Sequence, residues 1–164
     1  LDTNTDLRRL AEMYMYLEVP YKAAVLLDKE INAGRMDKDE RNWELLANAW
    51  FQAREIDKAF GPLEKAASLS GDGKQFMRLG QLHIEKEKWQ EAVNALDKAM
   101  NKGGLKSVGE AQLLRGIALF NLGKVGPAKE ALASARRSGD ASVARQAVQW
   151  EKHIETQLSA DSAE

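Results

Sequence analysis

A repeated spacing of apolar and small residues constrains this 164-residue chain more than any other feature. One set comprises Trp43, Leu46, Ala47, Trp50, Ala59, Leu63 and Ala66, and the same offsets recur in Phe76, Leu79, Gly80, His83, Ala92, Leu96 and Ala99. Each half of a set has the three- and four-residue spacing of an amphipathic helix, which predicts a pair of helices per repeat. Such a pair leaves one apolar face open, so several pairs must stack. The sequence therefore predicts an all-α solenoid.

The same frame fits the chain four times. The predicted repeats cover residues 4–39, 40–72, 73–108 and 109–139, followed by a capping helix at 140–160 and a frayed tail at 161–164. Ala47 with Ala59, and Gly80 with Ala92, place small residues where the two helices of a pair would cross closely. Pro62 lies about one turn inside a second helix, where it predicts a kink or a late start. We expect residues 1–160 to form a single domain of four helical hairpins plus the cap.

The predicted capping helix carries its own apolar stripe. Its members are Val143, Ala147, Val148, Ile154 and Leu158. A terminal element of a solenoid needs a polar outer face. The outer face would be formed by Arg145, Gln146, Glu151, Lys152 and Glu155.

These residues resemble the tetratricopeptide repeat (TPR), whose pattern is W-x2-L-G-x2-Y, then A-x3-F, then A. The resemblance is strong in the second and third repeats and weaker in the first, where Glu30 stands in place of the last small residue. The proline that usually closes each repeat is missing, and Gly71 and Gly104 occupy its place in the second and third repeats. The resemblance implies an α-α superhelix whose function is protein binding.

A finer resemblance depends on more particular segments. They are Pro62–Ala67 with Gly73, Arg78–Gln81, Trp89, Lys102–Leu105 and Gln149–Trp150. These segments are similar to the C-terminal repeats of bacterial periplasmic TPR proteins associated with the TonB energy-transduction system. This resemblance implies an accessory role in such a system and a periplasmic location. Because the chain begins with Leu1 rather than Met, we expect it to be a piece of a longer protein whose targeting segment is not included.

Composition excludes several classes of function. The chain has 24 Lys and Arg against 25 Asp and Glu, so it offers no overall charge for binding nucleic acid. It has no cysteine, which excludes disulfides, thiolate metal sites and cysteine nucleophiles. No apolar run approaches the roughly 18 residues of a membrane span, so we expect no direct membrane insertion.

No catalytic or cofactor motif is present. Of the two histidines, His83 takes a packing position of the repeat and His153 is expected on the surface of the capping helix. Gly71-Asp72-Gly73-Lys74 lacks the second glycine of a phosphate-binding loop and is typical of a turn that ends a helix. We therefore predict a protein that is not an enzyme and that binds no cofactor or metal.

The first helices of stacked hairpins line a concave groove, and the frame predicts which residues point into it. At the twelfth position the residue is always apolar, and side-chain amides that can bond a peptide backbone lie nearby. Lys74 and Arg78 also match part of the carboxylate clamp of some TPR domains, although Glu12 and Leu45 break the rest of that motif. The predicted peptide-binding residues are Met15, Asn48, Phe51, Gln52, Lys74, Met77, Arg78, Gln81, Ile84, Phe120 and Asn121.

Two interpretations of this pattern stay open. The apolar stripe is either a groove for a protein or peptide partner or a packing surface between neighbouring first helices. Residues 73–139 carry 12 basic and 6 acidic side chains, which suits an acidic partner or an ordinary solvated surface. The leading hypothesis is a protein-binding scaffold. The alternative is a stacking or oligomerisation module of a longer solenoid, which self-associates through exposed ends and has no ligand of its own.

Overall fold

The computed structural model describes residues 3–161, and within that range the regular structure is entirely helical. The helices are α1 (Asn4–Tyr16), α2 (Pro20–Asn32), α3 (Glu40–Gln52), α4 (Ile56–Leu69), α5 (Lys74–Glu85), α6 (Trp89–Lys102), α7 (Val108–Asn121), α8 (Val125–Arg136) and α9 (Ala141–Asp161). α3, α5 and α7 begin within one residue of the predicted repeat starts. The predicted tail at 161–164 lies outside the described residues, apart from Asp161, whose backbone ends α9.

The chain divides into two compact units, one ending at Gly71 and the other beginning at Asp72. In the first unit, α1 packs on α2, α2 on α3 and α3 on α4. In the second unit, the neighbours in sequence from α5 to α9 pack on each other, and α9 also packs on α7. Each hairpin buries alanines at its helix crossing, among them Ala11 with Ala23 and Ala47 with Ala59, which are fully inaccessible to solvent.

Glycine replaces one of these alanines in the third and fourth hairpins. A Cβ atom built on Gly80 would lie 2.7 Å from Leu96 Cγ, and one built on Gly116 would lie 2.8 Å from Leu132 Cγ. Both distances are shorter than side-chain contacts allow. The repeat pattern puts Ala92 opposite Gly80, but the atom nearest to such a Cβ belongs to Leu96, and the Ala92 carbonyl oxygen is further away at 3.6 Å.

The first helix of every hairpin ends in the same way. The residue two positions after each helix has a left-handed backbone: Glu18 (φ 58°), Arg54 (φ 62°), Glu87 (φ 54°) and Gly123 (φ 74°). The next residue donates its backbone N–H to a carbonyl five positions back, as Glu55 does to Trp50 at 2.9 Å. This is the 6→1 bond of a Schellman motif, which satisfies carbonyls that the helix end leaves open. Three of these four turns form without glycine.

Pro62 lies inside α4 rather than at its start. The helix begins at Ile56, six residues earlier, so the late start proposed for this helix is wrong. The kink stays a prediction.

Glu30 of α2 is a buried carboxylate with a dedicated partner. Its two oxygens accept hydrogen bonds from Arg35 Nε and, at 2.8 Å, from Arg35 Nη2. The Glu30 carbonyl oxygen also accepts the backbone N–H groups of Arg35 and Met36. The residue that weakens the repeat pattern in the first hairpin therefore fastens the loop between α2 and α3. The hydrogen bond from Arg35 lowers the pKa of the Glu30 carboxyl below its ordinary value.

The capping helix α9 buries a different stripe from the one predicted. Val143, Ala147 and Ile154 are buried as expected, but Val148 is only partly covered and Leu158 is exposed. Trp150, which the predicted stripe omits, packs against the core of the second unit. The reason is geometric: Trp150 follows Ala147 by three residues and Val143 by seven, so it continues their face of the helix.

Candidate functional site

The candidate site in the first unit lies on α1 and α3. Met15 and Phe51 are half-buried and pack against the core of that unit. Asn48 and Gln52 are one turn apart on α3, the first half-buried and the second exposed. Each of these four predicted residues therefore keeps some surface accessible to solvent. An apolar surface with amides beside it is consistent with contact to an extended peptide.

A buried amide holds α1 against α3. Asn42 of α3 is fully inaccessible to solvent. Its Oδ1 accepts a hydrogen bond of 2.7 Å from Arg8 Nε, and its Nδ2 donates to Asn4 Oδ1 at 2.9 Å and to the Asp37 carbonyl oxygen at 2.8 Å. Arg8 also pairs with Asp39 at 3.3 Å. Every polar atom of the Asn42 side chain is thus satisfied, as burial requires.

This network changes the interpretation of one groove position. Arg8 precedes Met15 by seven residues and so lies on the same side of α1, but its side chain is only 14% exposed. Its guanidinium is committed to Asn42 and Asp39. Arg8 therefore links α1 to α3 through these two contacts and helps to hold the helices that carry Met15 and Phe51 together.

In the second unit, the candidate residues of α5 are all half-buried: Met77, Arg78, Gln81 and Ile84. Gln81 Nε2 donates a hydrogen bond of 3.2 Å to Glu110 Oε1 of α7. Ile84 packs against the core of this unit. One end of this row therefore contributes to packing, and the amide of Gln81 would have to leave Glu110, or share it, to bind a partner.

Lys74 begins α5 and is already engaged by an acidic neighbour. Its ammonium lies 2.8 Å from the Asp72 carboxylate, which also accepts the Lys74 backbone N–H at 3.0 Å. These hydrogen bonds raise the pKa of Lys74 and lower that of Asp72. A partner carboxylate at Lys74 would compete with Asp72, which weakens the case for a carboxylate clamp at this position.

Phe120 and Asn121, the candidates on α7, lie where α9 approaches. The Phe120 ring makes edge-to-face contacts with Trp150 at 6.3 Å and with His153 at 5.7 Å between ring centroids. Trp150 and His153 are themselves 5.4 Å apart, so the three rings form a triangle. Asn121 is exposed, and its Nδ2 donates to the Ile117 carbonyl oxygen of its own helix at 2.9 Å. Phe120 is therefore a contact between α7 and α9 as well as a partly open surface.

The first unit carries four predicted residues on two helices that a buried network joins, and these are Met15, Asn48, Phe51 and Gln52. In the second unit, most of the predicted residues lie on α5, whereas Phe120 of α7 contacts two rings of the capping helix.

A cleft that the repeat pattern did not predict lies on the other side of α3. The residues that line it include Trp43, Trp50, Lys58, Gly61 and Lys65. No apolar or charged pattern in the sequence points to it, and Gly61 directly precedes Pro62 inside α4, where the proline ring by itself favours glycine.

The described part of the chain holds no group of three or more His, Asp or Glu side chains placed to bind a metal ion. Within residues 3–161, no helix combines the length and the apolar character needed to cross a membrane.

No protein-family model and no curated protein sequence matches the chain. Solved structures do match. They include MamA, with a TM-score of 0.62 and 20% identity over 84% of this chain and 73% of that one. YrrB, described as a TPR protein with an unusual peptide-binding site, matches with a TM-score of 0.65 and 19% identity over 90% of this chain and 75% of that one.

The N-terminal domain of stress-induced protein-1 from C. elegans matches with a TM-score of 0.59 and 19% identity over 71% of this chain and 94% of that one. At 19–20% sequence identity, these structural similarities establish the fold alone. Together with the helical hairpins described above, they show that the chain has the all-α fold of TPR proteins, an α-α superhelix.

Proposed function

We propose that the chain is a non-catalytic scaffold that binds a segment of a partner protein on the exposed faces of its first helices. The observation that carries this proposal is the half-buried surface of α1 and α3, where Met15 and Phe51 are flanked by Asn48 and Gln52. YrrB, which has the same fold, is a peptide-binding protein and supports the proposal by analogy.

The apolar side chains and amides of this surface determine which partner segments it can bind. An apolar side chain that keeps part of its surface in water gains free energy when a partner covers it, at about 25 cal/mol per Å². A side-chain amide both donates and accepts hydrogen bonds, so it can pair with the N–H and C=O groups of an extended peptide. The arrangement favours a peptide with apolar side chains and makes no demand on its sequence beyond that.

The test is a peptide selection followed by affinity measurements. Peptides are selected from a displayed library on the intact chain, and the dissociation constant of the best one is measured by calorimetry. We expect the double variant Asn48→Ala, Gln52→Ala to bind it about tenfold more weakly or worse, which corresponds to 1.4 kcal/mol. The matched control is Gln90→Ala, Asn94→Ala, which removes an amide pair of the same spacing from α6.

The control variant should bind as the wild type does. Equal affinity for all three proteins would show that the peptide binds elsewhere and would contradict the proposed site. A selection that returns no peptide above background would contradict the proposed function.

A second candidate function is self-association, and the first hairpin supplies the observation that favours it. Five of the eight large apolar side chains that are exposed in the described part of the chain lie there: Met13, Tyr16, Leu17, Tyr21 and Val25. Tyr16 is 86% exposed. A concentration of exposed apolar side chains in one hairpin is a feature of interaction surfaces. Stacking against another repeat or another copy would cover it.

Sedimentation velocity distinguishes this candidate. If the first hairpin associates, the sedimentation coefficient rises with protein concentration, and the variant Met13→Glu, Leu17→Glu stays monomeric. A wild-type chain that is monomeric across the concentration range would count against self-association and leave the scaffold proposal in first place.

We also propose, on the sequence resemblance alone, that the parent protein is periplasmic and serves a TonB-type system as an accessory component. Fractionation of cells that express the full-length parent tests the location. Co-purification of TonB-system proteins with it tests the role. Recovery of the parent in the cytoplasmic fraction would overturn both parts of this proposal.

A further inference from the structure

The outer face of α1 is the side of the first hairpin that points away from α3. It consists of Arg9, Met13, Tyr16 and Leu17, which are all exposed and lie within four residues of Met13. Tyr16 is 86% exposed, Leu17 57% and Met13 49%. Leu17 follows Arg8, which contacts α3, by about two and a half turns and so lies on the opposite side of the helix. The first hairpin therefore presents an open and largely apolar helix face.

The corresponding side of α3 is covered by the hairpin before it. Asn42 lies on that side, because it bonds Arg8 of α1, and Ala49 follows Asn42 by about two turns. Ala49 is fully inaccessible to solvent. Met13 holds the same repeat position as Ala49, and so does Ala118, which is buried in α7. The outer face of α1 is thus the side on which consecutive hairpins pack within a unit, and in α1 it is open.

Two side chains of this face do not suit another hairpin of the same repeat. Where α3 and α7 have a fully buried alanine, α1 has Met13, whose larger side chain prevents an equally close approach of a helix. Where α3 and α7 have the half-buried Leu45 and Leu114, α1 has the cation of Arg9. A partner of this face therefore needs room for a methionine and a negative charge opposite Arg9.

Glu18 supplies such a charge when a second α1 packs antiparallel. Arg9 precedes Met13 by four residues and Glu18 follows it by five, and both charged side chains are exposed. At a rise of 1.5 Å per residue, each charge lies roughly 6–8 Å along the helix from Met13. A two-fold axis at Met13 therefore brings each Arg9 beside Glu18 of the partner subunit, whereas parallel packing would bring like charges together.

The neighbouring charges leave this complementarity in place. Asp6 is half-buried and lies nearly a turn further from the axis than Arg9. Glu12 is directed toward α3, where it pairs with Arg41 at 3.2 Å. Arg9 and Glu18 are therefore the exposed charges on the two sides of Met13.

The exposed apolar residues of α2 lie elsewhere on the hairpin. The Tyr21 ring contacts that of Trp50 on α3, with 5.7 Å between the ring centroids. Val25 follows Tyr21 by about one turn and so lies on the same side of α2. Both residues are thus on the side nearer α3, and Val25 can serve as a control for the outer face of α1.

We propose that the outer face of α1 binds a second copy of the chain, with the two α1 helices antiparallel about a two-fold axis at Met13. Met13, Tyr16 and Leu17 of the two copies cover each other, and Arg9 pairs with Glu18 of the partner subunit. Because a two-fold interface is isologous, each contact occurs twice. This inference rests on the self-association named above as the second candidate function, and it specifies the surface and geometry of that association.

Charge reversal in the intact chain tests the geometry. The dissociation constant of self-association is measured by sedimentation equilibrium. We expect Arg9→Glu and Glu18→Arg each to weaken association at least about tenfold, because each variant creates two like-charge contacts. An equimolar mixture of the two variants should associate like the wild type, since both contacts of the mixed dimer join opposite charges. The double variant Arg9→Glu, Glu18→Arg should do so as well.

Both substitutions fit the fold. Arg9 is an exposed residue of a helix. Glu18 has a left-handed backbone, and Arg54 adopts the same conformation at the corresponding turn of the second hairpin. We therefore expect melting temperatures close to that of the wild type, which separates a weakened interface from a damaged fold.

A disulfide tests the position of the two-fold axis. The chain has no cysteine, so Met13→Cys introduces a single thiol, which the axis places beside the same thiol of the second copy. Mild oxidation should then give a covalent dimer on a non-reducing gel. Val25→Cys is the matched control, because Val25 is 45% exposed, close to the 49% of Met13, and lies outside the proposed interface. It should stay monomeric.

The possible failures point to different parts of the account. A wild-type chain that is monomeric at every concentration would contradict self-association itself, and this inference with it. Association that is unchanged in both charge variants, or covalent dimers of Val25→Cys as abundant as those of Met13→Cys, would contradict only the proposed interface. Charge variants that stay weak when mixed would show that Glu18 is not the partner of Arg9. The peptide measurements on α3 test the scaffold proposal separately.

Discussion

The residue two positions after each first helix carries a backbone conformation that side chains disfavour. A left-handed residue other than glycine costs about 1–2 kcal/mol. Glu18, Arg54 and Glu87 adopt this conformation, and Gly123 is the only glycine of the four. The hydrogen bonds of the helix end offset that cost. A search of the sequence for glycine after each first helix would therefore have found only one of the four turns.

This geometry predicts unequal effects for two neighbouring glycines. Gly123→Ala should lower the free energy of unfolding by about 1 kcal/mol or more, because alanine is strained at positive φ. Gly126→Ala should change it much less, because its Cβ meets nothing within 4 Å beyond the chain neighbours, and the helix propensity gained is offset by the restriction that Pro127 places on the residue before it. Urea denaturation of both variants provides the measurement. Equal stability of the two would show that the left-handed turn at Gly123 is absent.

The Glu30–Arg35 pair predicts a pH dependence. The pKa of Glu30 is lower in the folded chain than in the unfolded chain, mainly because of the hydrogen bond from Arg35. The unfolded chain therefore binds more protons at acid pH. The stabilisation is complete above the ordinary carboxyl pKa of about 4.3 and is lost as the pH falls through the lowered value.

We accordingly expect Arg35→Gln to melt below the wild type at about pH 7 and to approach it at about pH 3, since protonation of Glu30 removes the advantage of the pair. Arg41→Gln serves as the control, because Arg41 pairs with the more exposed Glu12 at 3.2 Å. A gap in Tm between Arg35→Gln and the wild type that is constant across this pH range would contradict the assignment.

At the scale of the helix pair, the crossing of α5 and α6 depends on the missing side chain of Gly80. Gly80→Leu would force its side chain into Leu96 and separate the two helices. Overpacking of this kind costs about 1–3 kcal/mol, which outweighs a gain of up to about 1 kcal/mol from removing a helix glycine. Gly126→Leu makes the same change where only the neighbouring Pro127 restricts the side chain, so it should lose less stability than Gly80→Leu. A Gly80→Leu variant as stable as this control would refute the proposed repeat register.

The helices were easier to predict from the sequence than the side-chain contacts that connect them. The spacing of small and large residues was enough to predict paired helices, because the crossing of two helices admits only particular sizes at particular positions. Glu30 occupies a position where the repeat packs a small residue, but the pattern could not reveal that Arg35 in the following loop would pair with its carboxylate. The predicted stripe also omitted Trp150, although its spacing from Val143 and Ala147 already puts it on their face of the helix.

For the whole chain, the candidate site was predicted less completely than the fold. The frame indicates which side of a helix a residue occupies, but not whether a neighbouring element covers it. Phe120, for example, contacts two rings of the capping helix, which its frame position does not indicate. The cleft beside Gly61 escaped prediction because a missing side chain leaves no apolar or charged signal. Exposure depends on the assembled neighbours, and a single repeat does not encode them.

The Phe51→Ala variant tests most directly whether the exposed faces of the first helices bind a partner segment. Two quantities are measured on the same variant: the free energy of unfolding in urea, and the dissociation constant for the selected peptide. Phe60→Ala, which truncates a half-buried phenylalanine on α4 of the same unit, is the matched control.

We predict that Phe51→Ala loses less than about 2 kcal/mol of stability, since the ring is only half-buried, and binds the peptide about tenfold more weakly or worse. Phe60→Ala should lose comparable stability and keep its affinity. A loss of about 3–5 kcal/mol in Phe51→Ala is typical of a core aromatic. That loss, with peptide affinity unchanged in the folded fraction, would contradict the scaffold account and favour the stacking module.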